Sequence, residues 1–346
     1  MSQEGAASSV KSRDLRDALA GILRQVERGE RVVIERFTSP VAALVPIEDY
    51  LTLRRLDAQR RHTAPPQENR MAHRIVVSNI SGGEGKTSIT RELALTLADQ
   101  GYKVALIDSD PQASLTKTLG LHDPTEDTPA AALPGRLATH TIASVFDTDP
   151  DEAALPSPLH VHGVDIWVSN DALYQLDNKI AGDLTLIGNL REALNRVADR
   201  YDFILIDTKP GITPLLNAAM AAADHLLVPV SGDKGLENLD KLVKLVRSAR
   251  MYAPGFQIRM LIPNRVRANT NTYKTLLANL HDYSQLAPLS SQIRDSVVMM
   301  DAQRDRRAVV HYRPNAEVAQ DVRNVTRDLL VALGVVQTND PAVVSP

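Results

Sequence analysis

The segment Ser78-Asn79-Ile80-Ser81-Gly82-Gly83-Glu84-Gly85-Lys86-Thr87-Ser88 follows an apolar run, Ile75-Val76-Val77, and opens a helical pattern from Arg91 to Gln100. A strand, a glycine-rich turn and a helix in that order build a phosphate cradle. Glycines let main-chain N–H groups turn inward around a polyphosphate, and the helix N-terminus adds positive potential. Lys86 would neutralise β/γ oxygens, and the Thr87 hydroxyl would ligate Mg²⁺. The ordinary spacing G-x-x-x-x-G-K-[ST] is not met, because Ile80 stands at its first glycine. The variant K-G-G-x-G-K-[ST] is met with one change, Ser81 at its first lysine.

Two acidic segments close later apolar runs: Asp108-Ser109-Asp110-Pro111-Gln112 and Asp207-Thr208-Lys209-Pro210-Gly211. Both would stand at the carboxyl ends of strands, where open α/β sheets bind their ligands. A carboxylate there holds Mg²⁺ directly or through water, and a second positions the attacking water in phosphoryl transfer.

Charge is also localised. From Lys241 to Leu280 the chain carries Lys241, Lys244, Arg247, Arg250, Arg259, Arg265, Arg267 and Lys274 and no acidic residue, within a protein of net charge −3. On a helix expected over residues 236–251, Leu239, Leu242, Val243 and Val246 form the buried stripe, while Lys241, Lys244 and Arg247 share another face. Such a face suits the phosphate backbone of DNA without base reading. Arg294, Arg306 and Arg307 extend the candidate surface, although Asp295, Asp301 and Asp305 lie near them.

The elements that position these groups follow from periodicity. Apolar runs at residues 75–77, 104–107, 203–206, 225–230 and 260–262 alternate with helical patterns, which implies a doubly wound, mostly parallel sheet covered by helices on both faces. With 346 residues the chain exceeds one minimal core, and the Pro65-Pro66 stretch marks a linker at 61–72 between a small domain, 1–60, and a large one, 73–335. Residues 336–346 read as a disordered tail. In the small domain a helix capped by Ser12 carries Leu15, Leu19, Ile22, Leu23 and Val26, a strand hairpin spans residues 32–45, and residues 47–60 return to helix. Sixty residues bury little surface, so dimerisation is expected there. The absence of cysteine excludes disulfide scaffolds, thiolate metal sites and cysteine nucleophiles. No leader or membrane span is evident, which implies a cytoplasmic protein. His160 and His162 would share a strand face, yet no ligand cluster accompanies them, and Trp167 and Met299-Met300 read as core or interface.

The large domain resembles the ParA/MinD-type deviant Walker ATPases, the ParA partition group above all, over residues 74 to about 333. The resemblance rests on Gly82-Gly83-x-Gly85-Lys86-Thr87, Asp108-x-Asp110-Pro111-Gln112, residues 201–208, Val228-Pro229-Val230 and Ile262-Pro263-Asn264-Arg265. It implies that residues 81–88 bind ATP or ADP, with Lys86 on the β/γ-phosphates and Thr87, Asp108 and Asp207 around Mg²⁺. Asp110 would organise the hydrolytic water, and Pro263, Asn264 and Arg265 would lie at the adenine. It further implies an ATP-sandwich homodimer that binds nonspecific DNA, associates with the nucleoid and answers to a ParB-like or cargo-adaptor protein. The family's first loop lysine, which reaches the partner's nucleotide, is Ser81 here. Serine supplies no fixed charge, and Lys234, ahead of Lys209, is the candidate replacement at the dimer interface.

The small domain resembles the Phd/YefM antitoxins at their DNA-binding domain, on Ser12-Arg13-x-Leu15-Arg16, Leu23-x-x-Val26-x-x-Gly29-Glu30 and Pro40-Val41-Ala42-x-Leu44-Val45-Pro46. That resemblance implies operator contacts through Lys11, Arg13 and Arg16. The combined expectation is a weak, partner-stimulated partition ATPase. The alternatives are a nucleotide-gated repressor and an ATPase that positions a protein assembly on the nucleoid.

Overall fold

The computed structural model describes residues 8–11, 15–36, 39–49, 72–121, 139–267 and 270–337, in two compact units, Met1–Pro66 and Gln67–Pro346. Residues 61–71 of the expected linker at 61–72, and residues 338–346 of the expected tail at 336–346, lie outside the described residues.

In the first unit, strands β1 (Ser8–Lys11), β2 (Val32–Arg36) and β3 (Ser39–Leu44) form one sheet in that order, with helix α1 (Leu15–Glu27) between β1 and β2. The expected hairpin is β2–β3, antiparallel. β1 pairs parallel to β2 and was not expected from its sequence, Ser8-Ser9-Val10-Lys11. Ile22, Val32 and Ile34 are buried, whereas Leu19 and Leu23 on the same helix remain exposed. Of the helix expected over 47–60, residues 47–49 are described and helical.

The second unit is built on a seven-stranded sheet. Its strands are β4 (His73–Val77), β5 (Val104–Asp108), β6 (Leu159–Val161), β7 (Val164–Trp167), β8 (Phe203–Asp207), β9 (His225–Val230) and β10 (Gln257–Pro263), in the order β10-β9-β4-β8-β5-β7-β6. All neighbours are parallel except the β6–β7 hairpin. The five expected strands are present, and β7 with β6 extends the β5 edge. The strands are apolar on both faces because two layers cover them, the pattern of a buried parallel sheet. One layer includes Trp167, Leu190, Ala218, Ala219, Leu242 and Phe256, and the other includes Leu93, Leu97, Leu115, Val325 and Leu329.

From β4 the chain runs outward to β5 and the edge strand β6, turns back through β7 to β8, then crosses to β9 and β10 on the other side. This reversal sets the site beside β4, at the switch point of the sheet. The helix after the glycine-rich turn, α2 (Lys86–Asp99), begins earlier than the Arg91 start read from periodicity. Its adjacent Arg91 and Glu92 are both fully buried and paired, and Glu92 also accepts the Val309 N–H at 2.7 Å.

The structure corrects the histidine reading. His162 lies in the β6–β7 turn with φ of 50°, so it does not alternate with His160 on a strand, and His160 pairs across the hairpin with Asp165 at 2.8 Å. Among the described residues no group of three or more His, Asp or Glu side chains could hold a metal. None of the described helices is long and apolar enough to cross a membrane.

Candidate functional site

Register brings the acidic segments together. Asp108 ends β5 opposite Asp207, which ends β8, and Asp207 in turn stands opposite Val77, the last residue of β4 before the glycine-rich turn. The turn and both carboxylates therefore share one end of the sheet, as the sequence implied. Gly83 and Gly85 adopt left-handed φ values of 83° and 87°. At Gly85 a Cβ would sit 2.2 Å from Asn264 Nδ2, so only glycine fits. That amide, buried at the end of β10, donates to the Glu84 carbonyl at 2.8 Å and holds the turn from beneath.

Lys86 is buried, and its Nζ donates back to the Ser81 carbonyl at 2.9 Å. Burial pushes its ammonium below the ordinary lysine range, with Asp207, Asp110 and Glu84 opposing the shift. A buried cation closed on its own loop and faced by carboxylates is arranged to receive anionic oxygens.

The two strand-end carboxylates differ in their commitments. Asp108 accepts the Thr116 N–H at 2.8 Å, the Thr116 hydroxyl at 2.7 Å and the Asp110 N–H at 3.1 Å; burial nevertheless pushes it up to about 6. It orients the Asp110 segment. Asp110 accepts the Gln112 N–H at 2.9 Å, and its carbonyl takes the Ser169 hydroxyl. Asp207 Oδ1 meets the Thr90 hydroxyl at 3.4 Å, while its fully buried Oδ2 has no hydrogen-bond partner. Burial and the Asp108 charge raise Asp207 well above the ordinary carboxylate range, against the pull of the Thr87 hydroxyl and Lys86. A carboxylate with one orphaned oxygen beside the Thr87 hydroxyl is a hard-oxygen donor set, and Mg²⁺ is characteristically bound by one or two carboxylates together with phosphate and water. The residues fit that ion.

The remaining candidates divide. Ser88 accepts from Gln303 Nε2 at 2.6 Å, and Arg265 follows Asn264 in a left-handed, exposed conformation. Lys209 is half-buried in an ion pair with Asp177. Lys234 is exposed, and its carbonyl accepts the Ser81 hydroxyl at 2.8 Å. The helix expected over 236–251 is two helices, Asp233–Glu237 and Leu239–Ala249, joined at Asn238. The break coincides with Asn238 turning its amide to Ser81 Oγ at 2.8 Å and to the Lys234 carbonyl at 3.0 Å.

On the second helix Leu239, Leu242 and Val246 are buried and Lys241, Lys244 and Arg247 exposed, as expected, while Val243 of the expected buried stripe is only half-buried. Arg250 is exposed with its Nε on the Phe256 carbonyl, and Lys274 is exposed on helix Asn271–Asp282. Two arginines of the proposed surface are not free charges. Arg267 pairs with Asp295 at 2.7 Å, and Arg294 is held by Asp321 at 2.6 Å and by Glu317. Sequence separation hid those partners. Arg306 packs its stem over Gly120, and Arg307 donates to the His311 carbonyl at 3.0 Å. Lys11 and Arg16 lie on β1 and α1, and Arg13 is outside the described residues. Sequence reasoning placed Glu84 at the nucleotide but missed its side chain's partner, Ser231.

The geometry agrees with the comparisons. Residues 72–256 match the AAA-domain family model AAA_31. The chain is 30% identical over 225 residues to a probable plasmid-partitioning protein ParA of Thermus thermophilus, across 62% of this chain and 64% of that protein. It is 29% identical over 195 residues to the maintenance of carboxysome distribution protein A of Synechococcus elongatus, across 56% of this chain and 72% of that one. An ATP complex of McdA from Cyanothece shares the fold with a TM-score of 0.64 at 22% identity, over 79% of this chain and all of that one. The family match spans more than half of the sequence, and the chain belongs to this AAA-domain family, among the ParA-type P-loop ATPases.

Proposed function

We propose that this protein is an ATP-dependent partition ATPase that dimerises on Mg²⁺·ATP, binds DNA without sequence preference through its basic face, and releases it on hydrolysis. The observation that carries the reading is the buried Lys86 and the orphaned Asp207 oxygen at the switch point of the sheet. Lys86 leaves the Ser81 carbonyl for the β/γ oxygens of ATP, trading one oxygen acceptor for another. Thr87 and Asp207 would hold Mg²⁺, supported by Asp108, which is already bonded to Thr116. When bound, the ion supplies positive charge to the transferring phosphoryl group. Asp110, its main chain fixed by Asp108 and Ser169, orients water for attack. Pro263, Asn264 and Arg265 line the adenine end.

Ser81 cannot stabilise charge across a dimer, so Lys234 takes that part, with its exposed ammonium on a turn tied to Ser81. Lys209 is the weaker candidate because Asp177 already neutralises it. Lys241, Lys244, Arg247, Arg250, Arg265 and Lys274 supply the phosphate contacts. Dimerisation couples nucleotide state to DNA affinity, because a ligand shifts an equilibrium only through differential affinity. The small domain, 1–60, adds a second contact to operator DNA through Lys11, Arg13 and Arg16, and its exposed Leu19 and Leu23 supply an apolar face for pairing. A ParB-like or cargo-adaptor protein stimulates the weak turnover, in the cytoplasm on the nucleoid.

A second reading keeps this cycle and changes the cargo to a protein assembly. It is favoured by Ser81 at the lysine position and by the similarity to the carboxysome-distribution protein. ATP hydrolysis by the full chain with DNA and Mg²⁺ tests the shared mechanism. Turnover that Lys86→Ala abolishes is expected, and turnover unchanged by that substitution would refute it.

A further inference from the structure

Glu84 is an anomaly within the cradle. A loop that gathers N–H donors and a lysine for a polyphosphate carries, between Gly83 and Gly85, a carboxylate that is 4% exposed. A buried acid beside an anion site opposes the ligand unless it serves another end, and burying it unpaired is costly. Its partners lie 147 residues onward. Glu84 Oε2 accepts the Ser231 N–H at 2.6 Å and the Ser231 hydroxyl at 2.8 Å. Its carboxylate also lies so close to Gly235 that a Cβ there would stand 2.6 Å from Oε2, which explains a glycine inside that short helix.

Ser231 and Gly235 bracket Lys234. The same turn is gripped on its other side by the Ser81 hydroxyl at the Lys234 carbonyl, by Asn238 at Ser81, and by Asn79 Nδ2, which donates to the Pro229 carbonyl at 2.9 Å and the Gly235 carbonyl at 3.3 Å. Most of these grips use neutral groups. Glu84 alone among them reaches the turn from inside the glycine-rich segment itself, one of its oxygens accepting both Ser231 donors.

We propose that Glu84 is the positioning residue that locks the Ser231–Gly235 turn, and with it Lys234, onto the phosphate loop. The inference rests on the nucleotide reading above and deepens it. A chain with the reaching lysine in the loop itself needs no such lock. Here the cationic residue sits on a separate turn, and the loop must hold that turn in register. The acid's electrostatic cost to phosphate binding is offset by the placement of a charge that the loop lacks.

The test uses the full chain. In nucleotide-free protein, hydrogen exchange across residues 231–238 should accelerate in Glu84→Ala and stay near the wild-type rate in Glu84→Gln, whose amide oxygen still accepts from Ser231. Turnover of Mg²⁺·ATP is then measured in a cycle with Lys234→Ala. Glu84→Ala and Lys234→Ala should each lower kcat about ten-fold, and the double variant should lose no more than about that, because the two substitutions remove one interaction. Glu84→Gln should recover most of the loss. Should Glu84→Ala not fold, Ser231→Ala removes one of the two donors and should show the same pattern at smaller amplitude. Losses that multiply in the double variant, an equal loss in Glu84→Gln, or unchanged exchange at 231–238 would each overturn the proposal. A wild-type chain that neither binds nor hydrolyses ATP would instead refute the nucleotide reading, and the exchange experiment would still decide whether the lock exists.

Discussion

The Ser81 hydroxyl donates to the main-chain carbonyl of Lys234 at 2.8 Å across 153 residues of sequence. The loop position without a lysine is thus bonded to the residue that presents one. Nothing in either local sequence announces the bond, and it connects the phosphate loop to the turn that leads into the basic helix.

Asp207→Asn should separate stability from function. The wild-type carboxylate is fully buried, is disfavoured in its ionised form by burial and by Asp108, and leaves Oδ2 without a partner. Neutralising it should stabilise the nucleotide-free protein by about 1 kcal/mol and remove most of the Mg²⁺-dependent gain in ATP affinity. Thermal unfolding with and without Mg²⁺·ATP reads both effects; a variant less stable than wild type would contradict the account.

Gly85→Ala should cost about 2–3 kcal/mol, from the left-handed φ of 87° and the 2.2 Å approach to Asn264. Displacing Asn264 frees the Glu84 carbonyl, so ATP affinity should fall together with denaturant stability. Gly83→Ala shares the strained φ but meets no neighbour within 4 Å, and should cost less.

His225 predicts a specific pH dependence. Burial, with help from Arg259 and His73, pushes it down to about 4 from an ordinary 6.5. Arg259 also sits at Nδ1, 3.4 Å from Nε and 3.3 Å from Nη2, which favours the neutral ring. The folded state therefore resists a proton that the unfolded chain accepts. Stability should fall as pH drops from about 6.5 towards 4, by up to about 3 kcal/mol from this group. His225→Asn should flatten that part of the profile in urea titrations; an unchanged slope would rule the residue out.

The paired and unpaired arginines should behave differently on DNA. Lys244→Glu with Arg247→Glu should weaken binding to any sequence and reduce the salt slope by about one to two. Arg294→Ala should leave the salt slope unchanged while costing about 2 kcal/mol of stability, because it strands the buried Asp321. Salt-series anisotropy with random duplex and a urea titration distinguish the two.

Much of this was legible beforehand, and what was not has common physical causes. Ile75-Val76-Val77 and Phe203-Ile204-Leu205-Ile206 announce buried parallel strands, since both faces must be apolar, and the glycines at 83 and 85 announce their φ values. β1 escaped because an edge strand with one apolar residue has no periodicity to show. The break at Asn238 escaped because the apolar stripe of the second helix starts immediately after it, and a polar residue between helical runs looks like an ordinary exposed position. The partners of Glu84, Arg294 and Lys209 escaped because ion pairs and hydrogen bonds over 23 to 147 residues leave no trace in local spacing.

The most direct test is binding of the full chain to random-sequence duplex with ATP, ADP or no nucleotide, over a salt series. Binding should require ATP and Mg²⁺, weaken steeply with salt and disappear in Lys86→Ala. Equal affinity in all three nucleotide states would contradict it.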